Sequence, residues 1–557
     1  ANGRASLSLR SEPTVASGAI SLRQIQLDAA ADQTRTGKQI ELSVVAGRQG
    51  LSISSDIDAR ADGSGAQVDA LLNSLNGSVA ISRINQVAGG TASGISTSIE
   101  SGESVTLERG VNLEATGALA KSNMYLNASG SVSIAIPVAE SGEALRLESS
   151  GYGAAVAATL NTSQGDVTID GAVRVNRAGA AGALPDARDI TTLSIAAPNS
   201  QSIHITGPLE ASVDNRGAFS ELNIQLAASG QIDTGATRIT AGAAGSLAKF
   251  IASVSNAPEV GSIEAFFRVK GDFIQLSKGA FAQTDSSIHV DGNATHFAIE
   301  GDLKVRSEGE FASSASHYLI DSEVATANSI IARHLDVSAS GVGSRTTATI
   351  DAGKIAIGGN ITVSAGGQGA SAILEVKNLS VRSPDVMVAA DSSSQEARVG
   401  AFAMLTQSGS MPDGPLGYII LDPVQAEDRT VLHRSVERFG GTVEMGRVDS
   451  RGIAYLVLGS EQLERVNFHQ SLERSVVALS MSDKDLSSED AIQRMMTLSG
   501  FRTGTDRLNF EGLQGSVRTL IDITPSITSN QSDQSKFNEF LLLAKQAIAE
   551  GGATGTA

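Results

Sequence analysis

The sequence predicts an all-β chain wound as a parallel β-helix solenoid of coils about 30 residues long, closed by a smaller C-terminal α+β capping region. Three observations predict it. Short runs alternate branched aliphatic residues with small or polar ones, as in Ile355-Ala356-Ile357-Gly358-Gly359-Asn360-Ile361-Thr362-Val363-Ser364-Ala365-Gly366-Gly367, which reads as strand, corner, strand, turn. The same phrase is restated along the chain at a spacing that suits a repeat. Glycine is plentiful at 58 residues while aromatics make up only 4%, which suits many tight corners around a narrow aliphatic core more than a core built on aromatic anchors.

The first two strands of each coil come from the repeated phrase. Copies include Leu51-Ser52-Ile53 with Ile57-Asp58-Ala59, Val105-Thr106-Leu107 with Val111-Asn112-Leu113, Val167-Thr168-Ile169 with Val173-Arg174-Val175, and Ile203-His204-Ile205 with Leu209-Glu210-Ala211. Taking Ile53, Leu107, Ile169, Ile205, Ile232, Leu276, Ile299, Ile331, Ile357 and Val381 as equivalent, most gaps lie between 23 and 36 residues. A third strand lies between copies, for example Ala372-Ile373-Leu374-Glu375-Val376. Three short strands leave their edges unpaired, so successive units stack. The inward positions are then Ile355, Ile357, Ile361, Val363 and their counterparts.

The repeat rod is assigned to residues 1–410, and Met411-Pro412-Asp413-Gly414-Pro415 forms the boundary turn over 411–415, being the densest cluster of chain breakers. Residues 416–550 form the cap or assembly region and 551–557 a flexible tail. Strands continue at Tyr418 to Leu421, Ile453 to Leu458, Val476 to Met481 and Val517 to Ile523, joined by two helices. One helix starts at Ser487 as N-cap and stops at Gly500; the other runs from Asp533 to Glu550. The second carries Phe537, Phe540, Leu541, Ala544 and Ile548 at helical spacing, an apolar face for docking on the solenoid end or on a neighbouring molecule.

The net charge of -18 repels a nucleic-acid backbone, so no nucleic-acid partner is expected. No run reaches the length of a membrane span. With no cysteine in the sequence, disulfides, thiolate metal sites and cysteine nucleophiles are excluded.

The repeats, with Gly359-Asn360-Ile361-Thr362-Val363-Ser364-Ala365-Gly366 and the Leu421-Asp422-Pro423 that follows the array, resemble the filamentous-haemagglutinin-type exoproteins of Gram-negative bacteria over roughly residues 1 to 425. The resemblance implies a right-handed β-helix on the cell surface or secreted, exported through a partner pore, serving as adhesin, biofilm-matrix fibre or host-protein capture device. It implies as partners further copies of the chain, head-to-tail or lateral, and glycan or host-surface ligands. The Asn-Pro-Asn-Gly signature of that family's secretion domain has no counterpart in this sequence.

A β-helix enzyme needs acidic residues converging at one height, whereas Glu300, Asp302, Asp336, Glu375 and Asp385 fall on scattered outward positions and read as a solvated face. The seven histidines show no paired-ligand spacing, His289 and His296 being nearest. Gly366-Gly367-Gln368-Gly369 lacks the Lys-Ser/Thr of a phosphate loop. No catalytic residue, metal site or cofactor is therefore assigned. A carbohydrate-active enzyme and a capture module for a host protein or small ligand stay open as alternatives.

Overall fold

Alternation of branched and small residues buries one face of most described strands, and that face turns inward on successive coils. The computed structural model describes residues 4–352 apart from 12–18, 30–37, 137–141, 179–188, 200, 215–219, 256–264, 293–294 and 323–327. Beyond 352 it describes little more than the backbone of the strands, which end at Ile523. The described chain is all-β, its parallel strands stacked as a β-solenoid with about 31 residues per coil. It forms two compact units, Ala1–Glu300 with Ser322–Val324, and Gly301–Asp321 with Ala325–Ala557.

In the first unit each coil contributes to three sheets. The first sheet aligns Ile53, Ile81, Leu107, Ile134, Ile169 and Ile205 as register partners. The second aligns Ile57, Ile84, Val111, Leu145, Val173 and Leu209. The third holds longer strands, among them Gln67–Ser74, Gly94–Ser101, Lys121–Ala128 and Ala155–Thr162. Leu72, Ile99, Leu126 and Leu160 align inward there. All of these side chains are buried to 3% exposure or less.

The core is not aliphatic throughout. Phe267 and Phe297 of the first sheet, Phe273 of the second and Phe250 of the third meet inside the first unit. Phe267 stacks on Phe297 with centroids 5.1 Å apart, and Phe273 meets Phe250 edge-on at 5.6 Å. Composition averages over the chain, so a local aromatic plug escapes it.

The passage from the second sheet to the third repeats one phrase: glycine, any residue, a residue with φ > 0, then Ala or Ser. In the first unit it is Gly63-Ser64-Gly65-Ala66, Gly90-Thr91-Ala92-Ser93, Gly117-Ala118-Leu119-Ala120, Gly151-Tyr152-Gly153-Ala154 and Gly279-Ala280-Phe281-Ala282; in the second unit, Gly309-Glu310-Phe311-Ala312 and Gly341-Val342-Gly343-Ser344. The fourth residue donates its N–H to the first carbonyl, as Ala120 does to Gly117 at 3.2 Å, and φ > 0 at the third position is what a type II turn requires. The leading glycines stack so closely that a Cβ on Gly117 would lie 2.1 Å from the Gly90 oxygen, and one on Gly151 would lie 1.9 Å from the Gly117 oxygen.

Inside this corner the aliphatic column ends and a polar one begins. Ser149 and Thr191 share a hydrogen bond of 2.7 Å. The fully buried Arg177 donates to the Ser149 hydroxyl at 3.0 Å and to the Gly151 carbonyl at 2.7 Å. Gln275, Ser277 and Thr284 form a second cluster. Buried polar side chains persist where such partners offset desolvation.

In the second unit the same winding joins Leu303–Ser307 to Leu335–Ala339 and Asn360–Ala365, and Ser313–Ser322 to Arg345–Ala352 and Ser371–Lys377. Parallel stacking continues beyond residue 415: Val443–Met445 pairs with Ser380–Ser383 and in turn with Val466–Phe468. Tyr418–Leu421 departs from this order and lies antiparallel between Gly400–Leu405 and Val448–Gly459. Asn509–Phe510 pairs antiparallel with Phe501–Arg502 in a separate two-stranded sheet. The boundary residues 411–415 and both expected helices, Ser487 to Gly500 and Asp533 to Glu550, lie outside the described residues.

Four equivalences read from the sequence need correction. Val381 aligns with Ile355 and so stands two residues out of step with Ile357. Ile330, not Ile331, faces the core: Ile330 is fully buried and aligns with Ile355, while Ile331 is 44% exposed. Two adjacent isoleucines carry no alternation, so either phase satisfies the pattern, and a one-residue slip turns the side chain over. Leu276 belongs to the second sheet, where it pairs with Thr240. Ile232 aligns with Ile203 and so stands two residues out of step with Ile205. The true partners Ile81 and Ile134 fill the double-length gaps in the sequence count.

Candidate functional site

On the outer side of the third sheet, side-chain size alternates from rung to rung. Gln67, Gly94 and Lys121 are register partners in one outer row, and Asp69, Ser96 and Asn123 in the next. Gly94 and Ser96 are low, so the strand Gly94–Ser101 forms a floor between taller neighbours. A cleft of about 500 Å³ opens there, lined by Gln67, Ala92, Ser93, Gly94, Ser96, Leu119, Lys121 and Asn123 among others. The Gln67 amide reaches across to the Ala92 carbonyl at 3.4 Å.

The rim of this cleft is the corner turn. Leu119 occupies its φ > 0 position with φ at 56° and is 46% exposed; the corresponding residues of other coils are Gly65, Gly153 and Gly343 but also Ala92, Phe281 and Phe311. A leucine in this conformation costs roughly 1 kcal/mol or more relative to glycine. Its N–H donates to the Tyr152 carbonyl at 2.6 Å, so the stacked corners hold it in place. A second hollow of about 400 Å³ lies across strands Arg4–Arg10 to Gly94–Ser101, lined by Ser6, Ser8, Ser43, Asp69, Ser96 and Ser98 among others.

Charged groups elsewhere pair among themselves. Glu143 bridges Arg146 at 3.7 Å and Arg174 at 2.7 Å, and Asn112, Asn85 and Asp58 form a hydrogen-bonded ladder at 2.9 and 3.1 Å. The bond to Asp233, 3.3 Å from His204 Nδ1, raises the imidazole pKa. Burial pushes the Asp233 carboxyl up, yet bonds from His204 and Gln231 and the nearby Arg268 carry it below its ordinary value. Arg268 in turn lies 4.7 Å over the Phe266 ring, which His296 meets edge-on at 5.8 Å.

The acidic residues expected on a solvated face divide. Asp302 is a correction: it is only 8% exposed, accepting from Arg333 and paired with Lys304, both at 2.8 Å. The Arg333 bond leads in lowering its pKa to about 2. Asp336 pairs with Arg306. The side chains of Glu375 and Asp385 lie outside the described residues. His289 stands on the third sheet and His296 on the first, so the nearest histidine pair in the sequence is not brought together. Among the described residues no three His, Cys, Asp or Glu side chains are grouped to hold a metal ion. The docking face Phe537, Phe540, Leu541, Ala544 and Ile548 lies outside the described residues.

The cleft escaped the sequence reading because its members, from Gln67 to Gly153, come from four coils. The signal available was the lone small pair, Gly94 and Ser96, in the register between Gln67, Asp69 and Lys121, Asn123. No family model, curated protein or solved structure matches the chain.

Proposed function

We propose that this chain is a non-enzymatic structural protein of the bacterial exterior, a stiff solenoid that adheres to glycan or matrix surfaces and assembles with further copies of itself. The observation that carries this reading is the outer side of the third sheet in the first unit. Ser96, Ser98, Asn123, Tyr125, Asn127, Thr159 and Asn161 stand there on consecutive strands, uncharged and able to donate and accept. Such a surface stays wet, yet exchanges water for sugar hydroxyls at little cost. Parallel hydrogen bonding from rung to rung supplies stiffness. Export and display on a Gram-negative cell rest on the sequence resemblance; among the described residues no helix is long and apolar enough to cross a membrane.

Electron microscopy of the full chain, beside the chain lacking residues 533–557, tests assembly, and retention on glycan-coated surfaces tests adhesion. Filaments that need the C-terminal segment, together with saturable retention, are expected. Monomers that are not retained would overturn the reading.

A further inference from the structure

We infer that a water molecule is bound inside the first unit, held between Gln86 of the second sheet and Thr97 of the third. Gln86 follows Ile84 on the inward side of Val79–Ala88, and Thr97 lies between Ile95 and Ile99 on the inward side of Gly94–Ser101; both are buried to 1% exposure or less. Gln86 Oε1 accepts from the Ser122 hydroxyl of the next coil at 3.3 Å. Among the described residues, Gln86 Nε2 and the Thr97 hydroxyl find no hydrogen-bond partner in the protein. Exchanging the nitrogen and oxygen of the amide would only pass the unpaired place from one to the other. Buried polar groups are paired, and ordered water serves where protein groups do not reach.

A later coil shows the same two places closed by the protein itself. Gln275 stands four residues before the corner glycine Gly279 and Ser286 seven after it, as Gln86 and Thr97 stand about Gly90. There the Ser286 hydroxyl donates to Gln275 Oε1, and Gln275 Nε2 donates to the Thr284 carbonyl at 2.8 Å. A glutamine at this place therefore reaches the third-sheet residue opposite, which puts Gln86 Nε2 and the Thr97 hydroxyl within the span of one small molecule.

The preceding coil makes the difference. Gln275 and Ser286 have Ile239 and Phe250 as register partners there, whereas Gln86 and Thr97 have Ala59 and Ala70. Both alanines are buried, so the room they leave is closed to bulk solvent. Three neutral groups serve it: the Gln86 amide as donor, the Thr97 hydroxyl as donor or acceptor, and the lone pairs of the fully buried Ser122 hydroxyl. That number suits a buried water, and the lack of a charge among them disfavours an ion. Through Ser122 the water joins one coil to the next from inside.

The test uses the full chain. A high-resolution crystal structure should show density for a water within hydrogen-bond distance of the Gln86 amide and the Thr97 hydroxyl. In solution, isotope-labelled alanine methyls of Ala59 and Ala70 should show nuclear Overhauser effects from the water resonance, while Ala252, flanked by Leu226 and Ile288, shows none. Folded Thr97→Val should lose these signals and Thr97→Ser should keep them, with circular dichroism melts confirming the fold of each. A wild-type crystal without that density, or with the Gln86 amide turned onto the Ile95 carbonyl as Gln275 turns onto Thr284, would overturn the site. So would signals at Ala59 and Ala70 no stronger than at Ala252, or signals that survive in folded Thr97→Val. If Thr97→Val does not fold, the wild-type crystal and methyl signals decide. None of these outcomes bears on the adhesive reading.

Discussion

Replacing Gly151 with alanine tests whether the corner glycines set the spacing of the coils. The added methyl would sit 1.9 Å from the Gly117 oxygen, whereas real Cβ contacts essentially never fall under 3.0 Å, so the two corners must separate by about 1 Å. That opening strains the hydrogen bond from Leu119 to the Tyr152 carbonyl and the one from Gly151 to Ala115, at 2.6 and 3.3 Å. It also disturbs the Arg177 guanidinium that donates to the Gly151 carbonyl. Overpacking costs roughly 1–3 kcal/mol and a weakened buried hydrogen bond roughly 1 kcal/mol, so a loss of about 2–4 kcal/mol is expected. Urea unfolding followed by circular dichroism reads it as a lower midpoint, with Gly142→Ala as the control because nothing lies within 4 Å of a Cβ there. If both variants unfold at the wild-type midpoint, the close stacking of corner backbones does not hold in solution and the coil spacing must come from elsewhere.

Phe267→Ala removes the ring stacked between Phe250 and Phe297 and should cost about 3–5 kcal/mol by the same unfolding assay. Ile330→Ser should destabilise by about 3 kcal/mol while Ile331→Ser stays within about 0.5 kcal/mol, a contrast that checks the register directly. The Asp302 carboxylate has a folded pKa of about 2, below its unfolded value of 3.8. Its contribution is therefore fully present above pH 4 and lost as the pH falls toward 2. With solvent screening around the half-exposed Arg333 allowed for, about 1–2 kcal/mol should vanish over that window, and Asp302→Asn should flatten that part of the stability profile. The His204–Asp233 pair has a raised imidazole pKa, so its support is present below the ordinary histidine range and lost as pH rises through the raised value; a histidine NMR titration of wild type against Asp233→Asn should show the imidazole pKa fall.

The fold was legible because a solenoid writes the same constraint many times: Leu51-Ser52-Ile53 and Val167-Thr168-Ile169 carry the same alternation and take the same place. Parity failed where the alternation itself failed, at Ile330-Ile331, while Ile232 kept its inward parity yet stood two residues out of step with Ile205. The corner phrase, glycine to Ala or Ser, is as periodic as the strands, yet its third position accepts Gly, Ala, Leu or Phe, so a reading based on glycine content sees only part of it. Arg177 follows Val173 and Val175 in strict alternation, so parity points it inward although its charge alone favours solvent, and its partners Ser149 and Gly151 come from the preceding coil. Asp302 looked solvated for the same reason, since its two cations come from Lys304 beside it and Arg333 a coil away. The cleft depends on which coils lie side by side, and no local pattern states that.

Hydrogen bonds between neighbouring coils run along the winding axis, so tension applied along it within a unit would load one rung at a time. A coil that lets go would pay out about 31 residues, roughly 100 Å of contour against the 4.8 Å it had occupied. Such a spool would lengthen about twentyfold without a covalent bond breaking, dissipating work in steps as a shear-loaded tether does.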